Sequence, residues 1–281
     1  MTKSKIKWSS VPAKVKWVLE LELKSYFTPF CGPTYAFNKW VSVLFNKKTI
    51  SFMGVDFHYQ DRLNPFSIFQ YVNEVKETID LFHLDKLNHS VRILEIGGNI
   101  GNWGIVLCHY LPNATLYTFE PNPEPYKLLE KNSSQFPLWK IFNLGVGPNN
   151  DKINFYVVPN KSGQGSIYKD NANKNLLSNE AVEETQISVV KLDTNFIAKN
   201  FQSNHFDFIK IDIEGAEWEA IYGLKDLTWD GMYVELSLDQ PNRDTVEKFM
   251  HICQSIWPNV KLCKLIQNSP EVADLFLINK K

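Results

Sequence analysis

The sequence predicts an α/β fold organised around a doubly wound, mostly parallel sheet, and three observations carry that prediction. An apolar run, Val91, Ile93 and Leu94, feeds directly into the turn Glu95-Ile96-Gly97-Gly98-Asn99-Ile100-Gly101. A second strand end, Phe119-Glu120-Pro121, places another acid 25 residues after Glu95. From Val91 onward, short apolar runs alternate with amphipathic stretches, which is the rhythm of β-α units rather than of hairpins.

The elements follow in order. Residues 91–96 form the first strand, and a helix runs from about Gly101 until Pro112 stops it. A strand at 115–120 leads to a helix from about Glu124 to Gln135, and 139–144 is the third strand. Residues 152–158 and 186–192 alternate well enough to pair like a hairpin. The intervening 159–185 is polar and rich in Gly, Ser, Asn and Lys; a loop that long in a compact domain is read as a lid. His205–Ile213 is the fourth core strand, followed by a helix over Gly215–Leu224. Met232–Leu236 is the fifth strand and Thr245–Ile256 a helix, and 260–266 with 273–279 close the sheet as an antiparallel hairpin. The expected total is seven strands. Upstream, two short amphipathic helices are expected over 8–27 and 34–46, and a small hairpin over 49–59 turns near Gly54. A helix then opens at Asn64-Pro65 and runs to about Leu84. Residues 1–90 are therefore expected as a helical and hairpin cap that is not independent, and 91–281 as the catalytic domain.

Composition narrows the class. With 44% hydrophobic residues, 19 Phe, 11 Tyr and 8 Trp, the chain can fill a large aromatic core and is not disordered in bulk. The net charge of −1 hides an asymmetry: residues 1–50 hold nine Lys and two Glu, so 9 − 2 = +7. That segment is either a solvated basic surface or a contact for an anionic partner such as a phospholipid surface or lipid-linked substrate. Arginine is restricted to Arg62, Arg92 and Arg243, and the remainder is acidic, which argues against nucleic acid. Cys31, Cys108, Cys253 and Cys263 form no C-x-x-C and read as reduced, mostly buried thiols. No apolar stretch approaches the length of a membrane span or a secretory signal. A cytoplasmic protein, with the option of peripheral contact at the inner membrane surface, is expected. The histidines show no zinc spacing; His58 and His205 are the two near candidate site elements.

The chemistry concentrates at strand ends. A dinucleotide fingerprint needs G-x-G-x-x-G so that backbone can approach a pyrophosphate, and here Asn99 occupies the middle glycine position. Glu95 would repel phosphate. An adenosine cofactor without phosphates and with cationic groups fits better, and S-adenosylmethionine (SAM), with its sulfonium and ammonium, is that molecule. Glu120 would take the ribose hydroxyls, the Gly97–Gly101 turn would admit the methionine portion, and Asn143 either meets the adenine edge or starts a turn. Trp103 lines the pocket or belongs to the core. In the fourth strand, Ile209, Ile211 and Ile213 alternate with Lys210, Asp212 and Glu214, so one face of a central strand carries three ionisable groups. Either Lys210 and Asp212 neutralise each other as a brace, or Asp212 and Glu214 form the floor of a site. As acids they could act as a general base, as an anchor for the SAM ammonium or, with Glu235, as oxygen ligands for a Mg²⁺ ion.

Four segments, LEIGGNIGNWG, TFEPNPEPYKLLEKN, NLGVGPNNDKINFYV and FDFIKIDIEGAEWEAIYGL, together resemble the FkbM family of methyltransferases from about Val91 to Ile278. The resemblance implies a Rossmann-like class I methyltransferase fold and O-methylation of sugar or secondary-metabolite hydroxyls. By motif match, Glu95, Gly97, Gly98, Asn99 and Gly101 would contact SAM and Glu120 would hold its ribose. Lys210, Asp212, Glu214 and Glu217 match the later signature. The usual D-V-G-A-N-x-G here has Glu95 for Asp and Gly98 for Ala. The expected function is a SAM-dependent O-methyltransferase on a carbohydrate or glycan hydroxyl. The alternatives are a secondary-metabolite acceptor, a non-catalytic SAM- or glycan-binding accessory protein, and a nucleotide-dependent oxidoreductase, which lacks its pyrophosphate glycines here. A homodimer contact through the N-terminal extension is a further expectation.

Overall fold

The computed structural model describes residues 47–60, 64–158, 165–173, 181–239 and 245–279, together with Lys39, Val41, Phe45 and Arg243. The helix expected over 8–27 lies outside these residues, as does most of that expected over 34–46. The chain divides into two compact units, Met1–Glu74 and Val75–Lys281.

In the first unit, β1 (Thr49–Phe52) and β2 (Val55–His58) pair as the expected hairpin. Its two turn residues, Met53 and Gly54, both have positive φ (53° and 82°), the geometry that matches the twist of a two-residue hairpin. Ile50, Phe52, Phe57 and Tyr59 are buried. Helix α1 (Asn64–Phe82) begins with Pro65 in its first turn, where a missing N–H costs nothing, and passes through the division between units. Its buried stripe, Ile68, Val72, Val75 and Ile79, follows the helical period.

The second unit holds the α/β domain. Its elements are β3 (Arg92–Ile96), α2 (Asn102–Tyr110), β4 (Thr115–Phe119), α3 (Pro123–Ser133), β5 (Trp139–Phe142), β6 (Gly145–Val146), β7 (Asp151–Val157), α4 (Lys169–Asn173), β8 (Glu183–Val190), α5 (Thr194–Asn200), β9 (His205–Ile211), α6 (Glu217–Gly223), β10 (Thr228–Ser237), α7 (Val246–Ile256), β11 (Lys261–Ser269) and β12 (Val272–Ile278). Seven strands form one sheet in the order β5-β4-β3-β9-β10-β12-β11, parallel from β5 to β10 and antiparallel through β12 and β11. The seven-stranded, mostly parallel sheet with its terminal antiparallel hairpin is therefore present. Strand order reverses between β3 and β9, which is where open α/β sheets bind ligands.

The pair expected at 152–158 and 186–192 exists as β7 and β8, but in a separate three-stranded sheet ordered β6-β8-β7. Helix α5 is an element beyond those expected; Asp193 caps it by accepting the Phe196 N–H at 2.9 Å.

The two faces of the main sheet differ in kind. On one, Leu94, Ile96, Tyr117, Phe119, Ile209, Ile211, Met232, Val234, Leu275 and Leu277 pack with Trp218, Ile221, Leu224, Phe249 and Trp257 into a wholly apolar core. The opposite face is apolar only at its lower end, where Phe82 packs on Phe208 with ring centroids 5.0 Å apart. Higher up it turns polar. Thr118, Glu95, Lys210 and Tyr233 are successive register partners across β4, β3, β9 and β10, so they form one polar row over the four central strands, flanked by Ile141 and Phe276.

Candidate active site

The row is buried and internally paired. Lys210 is 1% exposed, and its Nζ donates to Asp212 Oδ2 at 2.8 Å, one step further toward the carboxyl end of β9. The ammonium also lies 5.9 Å from the ring centres of both Trp103 and Tyr233. Glu95, 1% exposed, accepts a hydrogen bond from Thr118 Oγ1 at 2.7 Å, and Thr118 in turn accepts from Trp139 Nε1 at 2.8 Å. Trp103 is buried and stacked 6.3 Å from Phe208, so it serves the core.

The glycine turn is shaped by close packing. A Cβ on Gly97 would lie 1.8 Å from the Asp212 carbonyl oxygen, and Gly97 has φ +92°; only glycine lets β3 end this close to β9. A Cβ on Gly98 would meet Thr118 at 2.1 Å. Gly101 caps α2, and Gly104, which sequence reasoning passed over, makes room for the Trp139 ring that a Cβ would strike at 2.1 Å. Asn99 adopts φ +48°, and its N–H donates to Glu120 Oε2 at 2.8 Å while the Asn122 N–H donates to Oε1 at 2.8 Å. Glu120 is thus fixed by the backbone of both turns. Each of its oxygens keeps a second lone pair with which to accept a hydroxyl. The Asn99 Oδ1 atom is buried and has no hydrogen-bond partner. Asn143, at the end of β5, donates its side-chain amide to the carbonyls of Glu120 at 2.8 Å and Pro121 at 3.1 Å. That brace holds the β4 and β5 loops together.

At the end of β9 the acids crowd. Burial opposes ionisation of Asp212, but Lys210 and hydrogen bonds from Lys210 and Glu235 outweigh it and hold Asp212 low. The Asp212 charge, together with burial, pushes Glu235 up to about 10, so Glu235 keeps its proton and donates it to Asp212. Glu214 sits at the rim in the left-handed conformation, φ +54°. The walls around it, with Asp212 and Glu217, push its carboxyl up to about 8. Solvent reaches this side chain, which screens part of that push. Glu217 is fully buried and receives the Gly215 N–H at 2.8 Å and the Ser237 N–H at 3.4 Å, closing the turn after β9 onto β10.

Two expectations need correction. His205 lies at the amino end of β9, opposite the carboxyl-end acids, where it meets Thr228 Oγ1 at 3.1 Å and Asp230 at 3.6 Å. Asp212, Glu214 and Glu235 are neighbours but do not gather as a set of metal ligands. Among the described residues, the group that brings three ligand atoms within 4.8 Å of one another is His205, Asp207 and Asp230. There Asp207 is already committed, Oδ1 to His89 Nε2 at 2.7 Å and Oδ2 to the Arg92 N–H at 2.7 Å. His58, in the first unit, pairs with Thr49 Oγ1 at 3.0 Å.

Burial raises Glu95, Glu120 and Glu217 from 4.5 to about 7. Each holds a proton when folded that the unfolded chain has already released. Their contribution to stability is therefore full below pH 4.5 and lost as pH rises through about 7, roughly 3 kcal/mol for Glu95 alone. The ligand-free protein is expected to lose denaturant stability between pH 5 and 8, and Glu95→Gln to remove part of that slope. A flat wild-type profile would contradict the buried placement of these acids.

The residues fit a cationic adenosine cofactor. Several under-neutralised acids, an orphaned amide oxygen and a glycine turn converge at the strand-order reversal. Comparison with known proteins agrees on the class. The model of the methyltransferase FkbM domain matches residues 95–259, more than half of the chain. Methyltransferase 1 of Beauveria bassiana is 25% identical over 150 residues, 49% of this chain and 60% of that protein. The chain thus matches less than two thirds of that relative's length. Methyltransferase sdnD of Sordaria araneosa is 23% identical over 198 residues, 60% of this chain and 76% of that protein. Among solved structures, the N-terminal domain of EvdMO1, crystallised in the presence of SAH and D-fucose, aligns at 10% identity and TM-score 0.44, covering 98% of this chain and 99% of that one. No helix among the described residues is long and apolar enough to cross a membrane. With the family's domain matched from the acid that ends β3 to the far side of α7, this chain belongs to the FkbM methyltransferase family.

Proposed function

We propose that this methyltransferase takes its methyl group from SAM and delivers it to a hydroxyl oxygen, with Glu214 as the general base. The observation that carries the reading is the acid-lined end of β3, β4 and β9, where Glu95, Asp212 and Glu214 share one paired ammonium, Lys210, and Glu120 meets the charges of Glu95 and Asp212. A cationic donor relieves that imbalance, whereas a dinucleotide pyrophosphate worsens it.

When bound, the donor supplies a methyl group made electrophilic by positive sulfur. Everything else falls to the chain. Glu120 and the Asn99 amide orient the adenosine end, and the turn at Gly97 fixes the approach. Lys210 keeps Asp212 ionised opposite the donor's charge. Glu214 accepts the hydroxyl proton as the new C–O bond forms, a contribution of about 10²–10⁴-fold for a well-placed base. Holding the acceptor oxygen in line is worth roughly 7–11 kcal/mol. This chemistry runs on the carboxylates themselves and does not call on a Mg²⁺ ion.

Glu214 at the rim disfavours an acceptor with phosphate beside the reacting hydroxyl, which supports a neutral sugar. Calorimetry with SAM and NAD, then transfer of the SAM methyl group to a panel of neutral sugars, sugar phosphates and secondary-metabolite alcohols, read by mass spectrometry, tests it. The expected result is SAM binding, no NAD binding, and a 14-dalton gain on a neutral sugar hydroxyl. Tight NAD binding without SAM binding would overturn the donor assignment, and methylation confined to amines would overturn the hydroxyl assignment.

A further inference from the structure

The loop after β7 contains a residue that none of the four family-like segments includes. Ser166 is 1% exposed, although it sits in a polar connection. Its backbone forms a two-bond bridge with Tyr156 on β7, Tyr156 N–H to Ser166 O at 2.8 Å and Ser166 N–H to Tyr156 O at 2.9 Å. Its hydroxyl oxygen accepts from the Tyr168 N–H at 3.2 Å, which fixes the rotor. The hydroxyl hydrogen then points one way: Oγ donates to the carbonyl oxygen of Glu214 at 2.7 Å. The bond reaches across 48 residues to Glu214, which with Asn99 is one of two side-chain-bearing residues of the site held left-handed. L-residues resist that conformation, and it persists where surroundings over-determine it. Ser166 is such a surrounding.

The connection is held at a second point as well. Tyr168 Oη donates to Glu219 Oε1 at 2.9 Å, and Arg243 Nη1 donates to Tyr168 Oη at 3.0 Å and pairs with Glu219. Loss of the Ser166 hydroxyl therefore leaves the segment anchored through its backbone bridge and through Tyr168, so the effect of that one hydrogen bond can be isolated.

We propose that Ser166 is a positioning residue: by holding the Glu214 carbonyl it sets the left-handed turn that aims the Glu214 carboxylate at the acceptor hydroxyl. The inference rests on Glu214 being the base. Within the segment 159–185, residues 165–173 form a strap that bonds Glu214 through Ser166 and Glu219 through Tyr168.

The test is a double-mutant cycle on the full chain, with methyl transfer to whichever acceptor the panel identifies. Ser166→Ala is expected to lower kcat about tenfold, within the ~10²-fold that a small displacement of a reacting group costs, with KM for SAM unchanged within twofold. In a Glu214→Gln background the same substitution is expected to add less than a twofold loss, because there is no base left to aim. A full tenfold loss in both backgrounds, or a loss in KM for SAM in place of kcat, overturns the proposal. Full activity in Glu214→Gln alone sinks the base assignment, a result distinct from failure of Ser166. If Ser166→Ala does not fold, Ser166→Cys, a weaker donor of similar size, takes its place with an intermediate loss expected; wild-type kcat in that folded variant counts against the role.

Discussion

Replacing Glu214 with Gln is expected to lower kcat by about 10²–10⁴-fold while KM for SAM stays within a few-fold. The amide preserves size and the left-handed backbone, held from outside by Ser166, but cannot accept the acceptor's proton. The pH profile gives an independent reading. In the wild type, kcat/KM should rise with pH as the Glu214 carboxyl ionises, with a midpoint between the ordinary 4.5 and about 8, since water at the rim screens part of the upward push. The variant should lose that limb. Retention of the limb in Glu214→Gln would hand the base role to another acid. Asp212→Asn supplies the contrast. Asp212 is held low and engaged by Lys210, so it is a weak base, and its replacement is expected to disturb Glu235 and Lys210 along with turnover.

Lys210→Met is expected to cost about 3–5 kcal/mol at pH 8, the penalty for leaving a buried charge without its partner. Methionine fills a similar volume, so the loss reports on Asp212 rather than on a cavity. Without Lys210 the folded Asp212 carboxyl rises above its unfolded value, and the linkage follows from that direction. The variant's deficit is full above the raised folded value and shrinks as pH falls toward 4, because protonation of Asp212 removes the uncompensated charge. Urea unfolding at pH 8 and pH 5 checks it. Equal deficits at both pH values would mean that the ammonium contributes through its cation–π contacts with Trp103 and Tyr233 and not through its pairing with Asp212.

Much of this site was legible in the sequence because local pattern encodes it. The alternation of Ile209 and Ile211 with Lys210 and Asp212 states which side of β9 is polar, and the structure puts the isoleucines in the apolar core. The Glu95 turn announces itself by glycine content and by the strand before it. Thr118 was harder. It lies inside TLYTF, where a threonine reads as an ordinary strand former, and only the register across β3 and β4 shows that it faces Glu95. Ser166 and Arg243 carry no local signal, since their partners are 48 and 24 residues away. The metal reading of Asp212, Glu214 and Glu235 failed for a related reason. Spacing places acids at neighbouring strand ends, but it does not show that one acid will donate its proton to the next.

The polar row across β4, β3, β9 and β10 bears on how this sheet assembles. A parallel sheet with two buried faces offers few cues that distinguish one alignment of neighbouring strands from another, since a slipped strand still presents aliphatic side chains. Here a slip of one residue in β9 would bury Lys210 among Leu94, Ile96 and Met232 and leave Glu95 opposite an isoleucine. Misaligned intermediates are thereby penalised before any cofactor is present, and the residues of the proposed site also proofread the construction of the sheet.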